Sequence, residues 1–296
     1  MNEQVNGQVN EKTNFDPRVT PARPDLAADF LRGKVDAARF VAGERREVFD
    51  AQAPLRREPS PDAALDTEAL KGERVTVYDA NEEGWSWGQL EADRYVGWLP
   101  SNALVAPGPE PTHRVSALRT IVFPGPSIKA PPIEMLSMGA RIAIARMDDK
   151  FAITPSGFCL PKNHVVPLAV VEEDFVAVAE RFVGVPYLWG GKTNLGLDCS
   201  SLVQLSLMAC GISSPRDSYM QESALGQSID EGNDFTNLQR GDLVFWKNHV
   251  AIVRDRDHLL HANSYSMDVT VERLSATIKR ISAGNNPVTS VRRLPL

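Results

Sequence analysis

Three side chains in the last third of the chain are of the types that together attack an amide. Cys199 follows Asp198 and opens an apolar run, while His249 and His261 stand in two consecutive stretches, HVAIVRD and HLLHANS. A thiol becomes an effective nucleophile when a base takes its proton, and the base works best when a third group fixes its tautomer. Those roles fit Cys199 as nucleophile, His249 as base and then acid, and His261 as the group that orients His249. A lone cysteine is as readily a small buried hydrophobe, so the arrangement carries the reading and no single residue does. The partial positive charge at a helix start favours thiolate over thiol, so a lowered Cys199 pKa is expected if Cys199 opens a helix.

The surrounding sequence must then supply a helix start and a hairpin. Asp198 is a favourable N-cap, and Leu202, Val203, Leu205 and Leu207 give the next segment an apolar body. A helix is therefore predicted from Cys199 to about Ala209, ending at Gly211. An earlier helix is predicted in DFVAVAERFVG, Asp174 to Gly184, which stops ahead of Pro186. DLVFW, HVAIVRD and HLLHANS read as strands, with turns at Lys247-Asn248 and Asp255-Arg256-Asp257. In an antiparallel hairpin the start of one strand lies beside the end of the next, which lets His249 meet His261. Helices followed by an antiparallel sheet make this section α+β. His113, His164 and His258 fall in a linker, near the end of a repeat and in a turn, and no chemistry is assigned to them. No Cys or carboxylate cluster completes a metal site around His258 and His261, so neither metal nor cofactor is expected.

The first 170 residues have a different texture. RVTVYDA from Arg74, WSWGQL and YVGWLP read as three strands, with a turn at Asn81-Glu82-Glu83-Gly84. The pattern recurs after His113, where RIAIARM from Arg141 matches the first strand and GFCLPKNHV matches GWLPSNALV. Gly72 and Gly139 each stand two residues before the repeated strand. This self-similarity predicts two small all-β barrels resembling bacterial SH3-like domains. Four sections follow: an N-terminal tail over 1–35, a first barrel over 36–108, a second over 109–169 and the α+β domain over 170–296.

Bulk composition limits the partners. A net charge of −6 lacks the concentrated basic surface that nucleic acid requires. No stretch reaches the roughly 20 apolar residues of a membrane span. The polar start, MNEQVNGQVNEKTNFDPR, has no apolar core of a secretory signal, and three cysteines without CxxC spacing suit a reducing compartment. A cytoplasmic location is expected, with no nucleic-acid or membrane partner; oligomeric state is not legible.

The stretch Pro186-Tyr187-Leu188-Trp189-Gly190-Gly191, then Asp198-Cys199-Ser200, then Gly241-Asp242-Leu243 ahead of His249-Val250 resembles the NlpC-type cysteine peptidases. These are bacterial cell-wall peptidases with a papain-like fold, and the resemblance covers roughly Glu172 to Leu296. It implies an acyl-enzyme peptidase, with His261-Ala262-Asn263 at the place of the third catalytic group. It also implies that Tyr187 supports the oxyanion and that Trp189, Asp198 and Ser200 contact substrate. Ser201 departs from the family, which usually has glycine there. Arg216-Asp217-Ser218 resembles a segment of recycling-type members with N-terminal SH3-like domains. There an Asp-Ser pair helps bind the free amine of the substrate's N-terminal L-alanine. Asp217 and Ser218 take that place here, with Tyr95 of the first barrel expected at the same end of the cleft. The implied substrate is a peptidoglycan-derived peptide, cut between γ-D-glutamate and a diamino acid. A secreted wall hydrolase, a papain-like acyltransferase and a non-catalytic binding protein are the competing readings.

Overall fold

A computed structural model describes residues 15–230, 232 and 235–295 of the chain. Glu44–Val48, Gln52–Arg56, Leu65–Leu70, Arg74–Ala80, Trp85–Leu90, Val96–Pro100 and Leu104–Val105 form one seven-stranded antiparallel sheet. It curls around Val48, Leu55, Val75, Leu90, Tyr95 and Leu99. The turn between its central strands is held by Asn81, whose Oδ1 accepts from the Trp85 amide at 2.9 Å, and by Gly84 at φ +86°.

A second β module follows, with its own core of Val115, Val122, Leu136, Ala140, Ala152 and Leu160. It repeats part of the first. In the first, Glu44–Val48 pairs with Arg74–Ala80 on one side and Leu104–Val105 on the other; in the second, His113–Val115 pairs with Arg141–Ile142 and Val165–Pro167. Gly72 and Gly139 donate to the Val48 and Val115 carbonyls at 2.9 and 3.0 Å, and both have positive φ. The run RIAIARM is not one strand, however. It divides into Arg141–Ile142 and Arg146–Met147 in different sheets. At the corner the Ile144 amide donates to Thr112 Oγ1 at 3.0 Å in place of a strand partner. The linker placed at His113 is likewise the first strand of this module.

Residues 1–14 of the expected tail lie outside the described residues. From Phe15 onward the chain packs on the first module. Leu26–Ala28 pairs in parallel with Arg39–Val41, and Leu26 joins Trp87 and Val96 in a small core. The Arg23 guanidinium lies 4.4 Å over the Trp87 ring and 4.9 Å over that of Trp98, a cation–π contact on both. An apolar Leu-Ala-Ala run and one stacked arginine are enough to fix a segment that reads as polar.

The remaining residues form the α+β half. Helix α1 spans Phe175–Glu180, capped by Asp174, and α2 spans Cys199–Ala209 with Gly211 just beyond at φ +76°. A six-stranded sheet runs in the order Gln227–Ser228, Val288–Arg293, Leu243–Trp246, His249–Asp255, His258–Asn263, Asp268–Arg273. α1 and α2 cover one face through Phe175, Val178, Leu202 and Val203 against Val250, Ile252 and Leu260. Helix α4, Leu274–Ala283, borders the other face, where Val244, Trp246 and Val253 are buried. The sheet has three more strands than expected from the sequence, and α4 was not expected at all. No helix among the described residues is long and apolar enough to cross a membrane.

The first module is locked to this half by buried polar contacts. The Lys192 ammonium, fully buried, pairs with Glu73 at 3.1 Å while its amide donates to Glu68 at 2.7 Å. The approach is so close that a Cβ on Gly190 would sit 2.4 Å from the Leu65 carbonyl oxygen. Gly190, at φ +75°, satisfies both the backbone conformation and the lack of space.

Candidate active site

The nucleophile's helix is held from both sides of its first turn. Asp198 Oδ1 accepts from the Ser201 amide at 2.9 Å, and Ser201 Oγ accepts from the Asp198 amide at 2.9 Å, a reciprocal cap. Ser201, the residue that departs from the family pattern, thus completes the cap. Asp198 had been expected to touch substrate, but its carboxylate is committed inward. It accepts from Arg216 Nη1 and Nη2 at 2.9 and 2.8 Å and from the Gly190 amide at 3.0 Å. Ser200 is engaged in the same way, donating to Asp198 and accepting from Arg216. Both edge the cleft, with their polar atoms already partnered.

The turn before His249 starts the strand that runs beside Cys199. Lys247-Asn248 joins Leu243–Trp246 to His249–Asp255, with Asn248 at φ +63°, a conformation asparagine tolerates. The Val250 and Ser200 amides both face the Cys199 sulfur, which sets the His249 backbone directly beside the thiol. The His249 ring packs on Trp246, and its Nε2 lies 2.8 Å from His261 Nδ1. His261, 1% exposed, turns its own Nε2 to Glu272 Oε2 at 2.8 Å, and Arg280 bonds the same oxygen.

Glu272 fixes the proton positions along this line. A carboxylate only accepts, so His261 carries its proton on Nε2 and offers Nδ1 as an acceptor. His249 must then donate from Nε2, which leaves Nδ1 bare to take a proton from Cys199. Glu272 was missed in the sequence because its role depends on register. His261 pairs with Thr270, and Glu272 is the diagonal neighbour on the same face, a strand that had not been recognised.

Electrostatics overturns one expectation. Burial, and then the Asp198 carboxylate, push the Cys199 thiol up to about 12, against the lowering effect of the Val250 and Ser200 amides and of Arg216. Burial, with His261 and Arg280 nearby, pushes His249 down to about 3. The helix start does lower the thiol pKa as argued; desolvation is simply larger. At rest Cys199 is a neutral thiol and His249 a neutral imidazole. Tyr187, half-buried next to Cys199, has its hydroxyl pKa raised by burial and by the thiol's charge, so it stays a donor.

A cleft of about 220 Å³ runs from Cys199 past Tyr187 and Trp189 to Asp217 and Ser218. Trp189 is 61% exposed and forms part of the wall, not a packed floor. At the far end the Tyr95 hydroxyl donates to Asp217 Oδ2 at 3.2 Å, so the first module does reach the site. Ser218 is buried at the first position of the short helix α3, Ser218–Ala224. Arg18, from the segment read as a tail, lines the same end. The other histidines are remote in function: His113 bonds Thr112, His164 bonds Thr120 and His258 bonds Asp255. Among the described residues no cluster of three metal-ligating side chains occurs. A second cavity of similar volume, lined by Leu70, Arg114, Met138, Glu172 and Leu205, shares no residue with the first.

Comparison with known proteins agrees with this geometry. Residues 184–281 match the NlpC/P60 family, and residues 55–104 match the bacterial dipeptidyl-peptidase Sh3 domain. A gamma-D-glutamyl-L-lysine dipeptidyl-peptidase of Bacillus cereus is 26% identical over 234 residues, 67% of each chain. Dipeptidyl-peptidase 6 of Lysinibacillus sphaericus is 26% identical over 250 residues, 77% of this chain and 90% of that one. The crystal structure of an NlpC/P60 family protein from Bacillus cereus ATCC 10987 superposes with a TM-score of 0.70 at 22% identity. It covers 84% of this chain and 99% of its own, which establishes a common fold. With a thiol, a tautomer-fixed imidazole and these two matches in one polypeptide, residues 184–281 form an NlpC/P60-type cysteine-peptidase domain, with a bacterial SH3 domain ahead of it.

Proposed function

We propose that the chain hydrolyses the amide between γ-D-glutamate and a diamino acid in peptidoglycan-derived peptides with a free N-terminal L-alanine. The observation that carries this reading is that one cleft is lined by both Cys199 and the Asp217 carboxylate, the latter backed by Tyr95. A carboxylate in a partly closed site pairs well with an ammonium and leaves substrates without one poorly bound. The name of the B. cereus relative points to the same class of bond, and that of the L. sphaericus relative to release of a dipeptide. The second β module is read as a further SH3-like barrel, on the strength of its repeated pairing order. Three free cysteines suit a reducing compartment, and with it a role in recycling wall fragments in the cytoplasm.

In the first step His249 Nδ1 takes the Cys199 proton as Sγ attacks the scissile carbonyl carbon. Negative charge gathers on the carbonyl oxygen, where the Cys199 backbone N–H and the Tyr187 hydroxyl are available as donors. Collapse breaks the C–N bond, and His249 returns the proton to the leaving amine. Water, deprotonated by His249, then cleaves the thioester and frees the acid. His261 and Glu272 hold His249 in one tautomer throughout. The test is incubation with stem peptides of defined length, with and without a blocked N-terminus, and mass spectrometry of the products. Release of L-Ala-γ-D-Glu from the free-amine peptide is expected. Asp217→Ala should cost far more activity on that peptide than on its N-acetyl analogue. Equal losses on both, or a new amide or ester in place of free acid, would sink the proposal.

A further inference from the structure

The Asp217 carboxylate already holds a cation. Arg18 Nη1 lies 2.5 Å from Asp217 Oδ2 and 3.2 Å from the Tyr95 hydroxyl, which itself donates to that oxygen. A guanidinium therefore occupies the place where a substrate ammonium would be neutralised. Neither the SH3 domain nor the catalytic domain supplies it: Arg18 lies ahead of both matched regions. Its backbone is fixed, since the Arg18 carbonyl accepts from the Val96 amide at 2.8 Å and the next carbonyl accepts from Gln89 at 2.8 Å. The Arg18 amide donates to Asp16, whose other oxygen takes the Tyr219 hydroxyl. The side chain is the free part. It is 37% exposed, against 14% for Asp217, and lines the open cleft.

We propose that Arg18 is an intramolecular occupant of the ammonium subsite and thereby sets the enzyme's affinity for its substrate's N-terminus. The proposal rests on the reading of Asp217 given above. A peptide amine and the guanidinium compete for one carboxylate oxygen, so the amine binds fully only after the Arg18 side chain swings toward solvent. The backbone bonds at Asp16, Gln89 and Val96 need not break for that movement. Apparent affinity is lowered by the fraction of molecules with the subsite open. If the pair is formed in about nine molecules of ten, the loss is roughly tenfold.

The experiment is calorimetric binding of the dipeptide L-Ala-γ-D-Glu to the full chain in a Cys199→Ala background. Arg18→Met keeps the aliphatic stem and every backbone bond and should tighten binding roughly tenfold. Arg18→Lys, which retains a shorter cation, should fall between the two. In an Asp217→Asn background the Arg18→Met gain should vanish, because there is no longer a carboxylate to contest. Weaker or unchanged binding in Arg18→Met would overturn the proposal and make Arg18 a strut for Asp217 instead. Absence of dipeptide binding in every form would overturn it as well. A chain that binds the dipeptide with the expected Arg18 dependence, yet with Cys199 intact cuts no stem peptide, would refute the proposed reaction and leave this inference standing.

Discussion

Replacing Glu272 separates two contributions that the histidine pair combines, namely the tautomer of the relay and the charge behind it. Both donors to Glu272, His261 Nε2 at 2.8 Å and Arg280, converge on the same oxygen, Oε2. A glutamine can therefore keep a carbonyl oxygen at that point and preserve the proton order from His261 to His249. What Glu272→Gln removes is the negative charge. A hydrogen bond to a charged group contributes about 1.5–3 kcal/mol and a neutral one about 0.5–1.5, so the change is roughly 1–1.5 kcal/mol. That corresponds to about a five- to tenfold fall in kcat. Glu272→Ala removes the acceptor itself. The buried His261 Nε2–H then loses its partner, which costs about 1–3 kcal/mol, and the alternative tautomer places a proton on His249 Nδ1, where Cys199 needs a lone pair. Arg280 is also left uncompensated, and its charge already opposes protonation of His249. Together these should lower kcat by about 10²–10³-fold. The assay is steady-state cleavage of a stem peptide, with the folded state of each variant checked by its unfolding midpoint. Glutamine and alanine variants within twofold of the wild type would refute the relay. A glutamine variant as slow as alanine would refute the claim that the tautomer carries the larger share.

The remaining expectations concern the thiol and its supports. With the Cys199 pKa raised and that of His249 depressed, thiolate accumulates only as pH rises, and alkylation of Cys199 by iodoacetamide should climb about tenfold per unit from pH 7 to 9. A plateau below pH 7 would instead mean a preformed thiolate–imidazolium pair. Arg216→Met leaves the buried Asp198 carboxylate without its bidentate partner and should lower stability by about 3–5 kcal/mol in denaturant unfolding. A loss under 1 kcal/mol would show that Asp198 finds other partners. Ser201→Gly removes one half of the reciprocal cap and adds a flexible residue to the first turn, at a cost of about 1–2 kcal/mol. An unfolding midpoint unchanged by that substitution would assign the cap entirely to Asp198.

What could be read from the chain followed the range of the interactions involved. Helix α2 was legible to its last residue, because an N-cap, an apolar body and a glycine stop all lie within thirteen positions of one another. The strands Arg74–Ala80 and Trp85–Leu90 were legible for the same reason, with a local turn between them. The meeting of His249 and His261 needed only a short hairpin. Glu272 required the register of a further strand, and Arg18 required a contact 199 residues distant in sequence, which no local pattern encodes. The Cys199 pKa failed differently. A helix terminus is a local feature and its sign was right, but burial is a property of the whole fold and outweighed it. The split of RIAIARM is a case of the same kind, since an alternating run does not reveal where it changes sheets.

The contacts across the first module explain why the site belongs to both halves of the chain. Arg216, which holds Asp198 and so the first turn of α2, also donates to Thr67 Oγ1 of the first module at 2.7 Å. Lys192, in the loop that leads to the nucleophile, is neutralised by Glu73 of the same module. Gln204 on α2 donates to Asp93 at 3.0 Å, and Tyr95, two residues on, is the group that reaches Asp217. Buried cations stay charged only when a carboxylate meets them, so separating the halves would expose two half-satisfied sites. The reacting part of the cleft is thus built by α2 and the six-stranded sheet, whereas the Asp217 carboxylate is braced by Tyr95 of the module in front and by Arg18 of the segment before it. Arg18 lines the cleft without bonding Cys199, His249 or His261, so its replacement leaves the reacting groups in place. In such an arrangement the first module and the nucleophile are coupled through Arg216, Lys192 and Gln204, so a change in the packing of one half is felt at the first turn of α2.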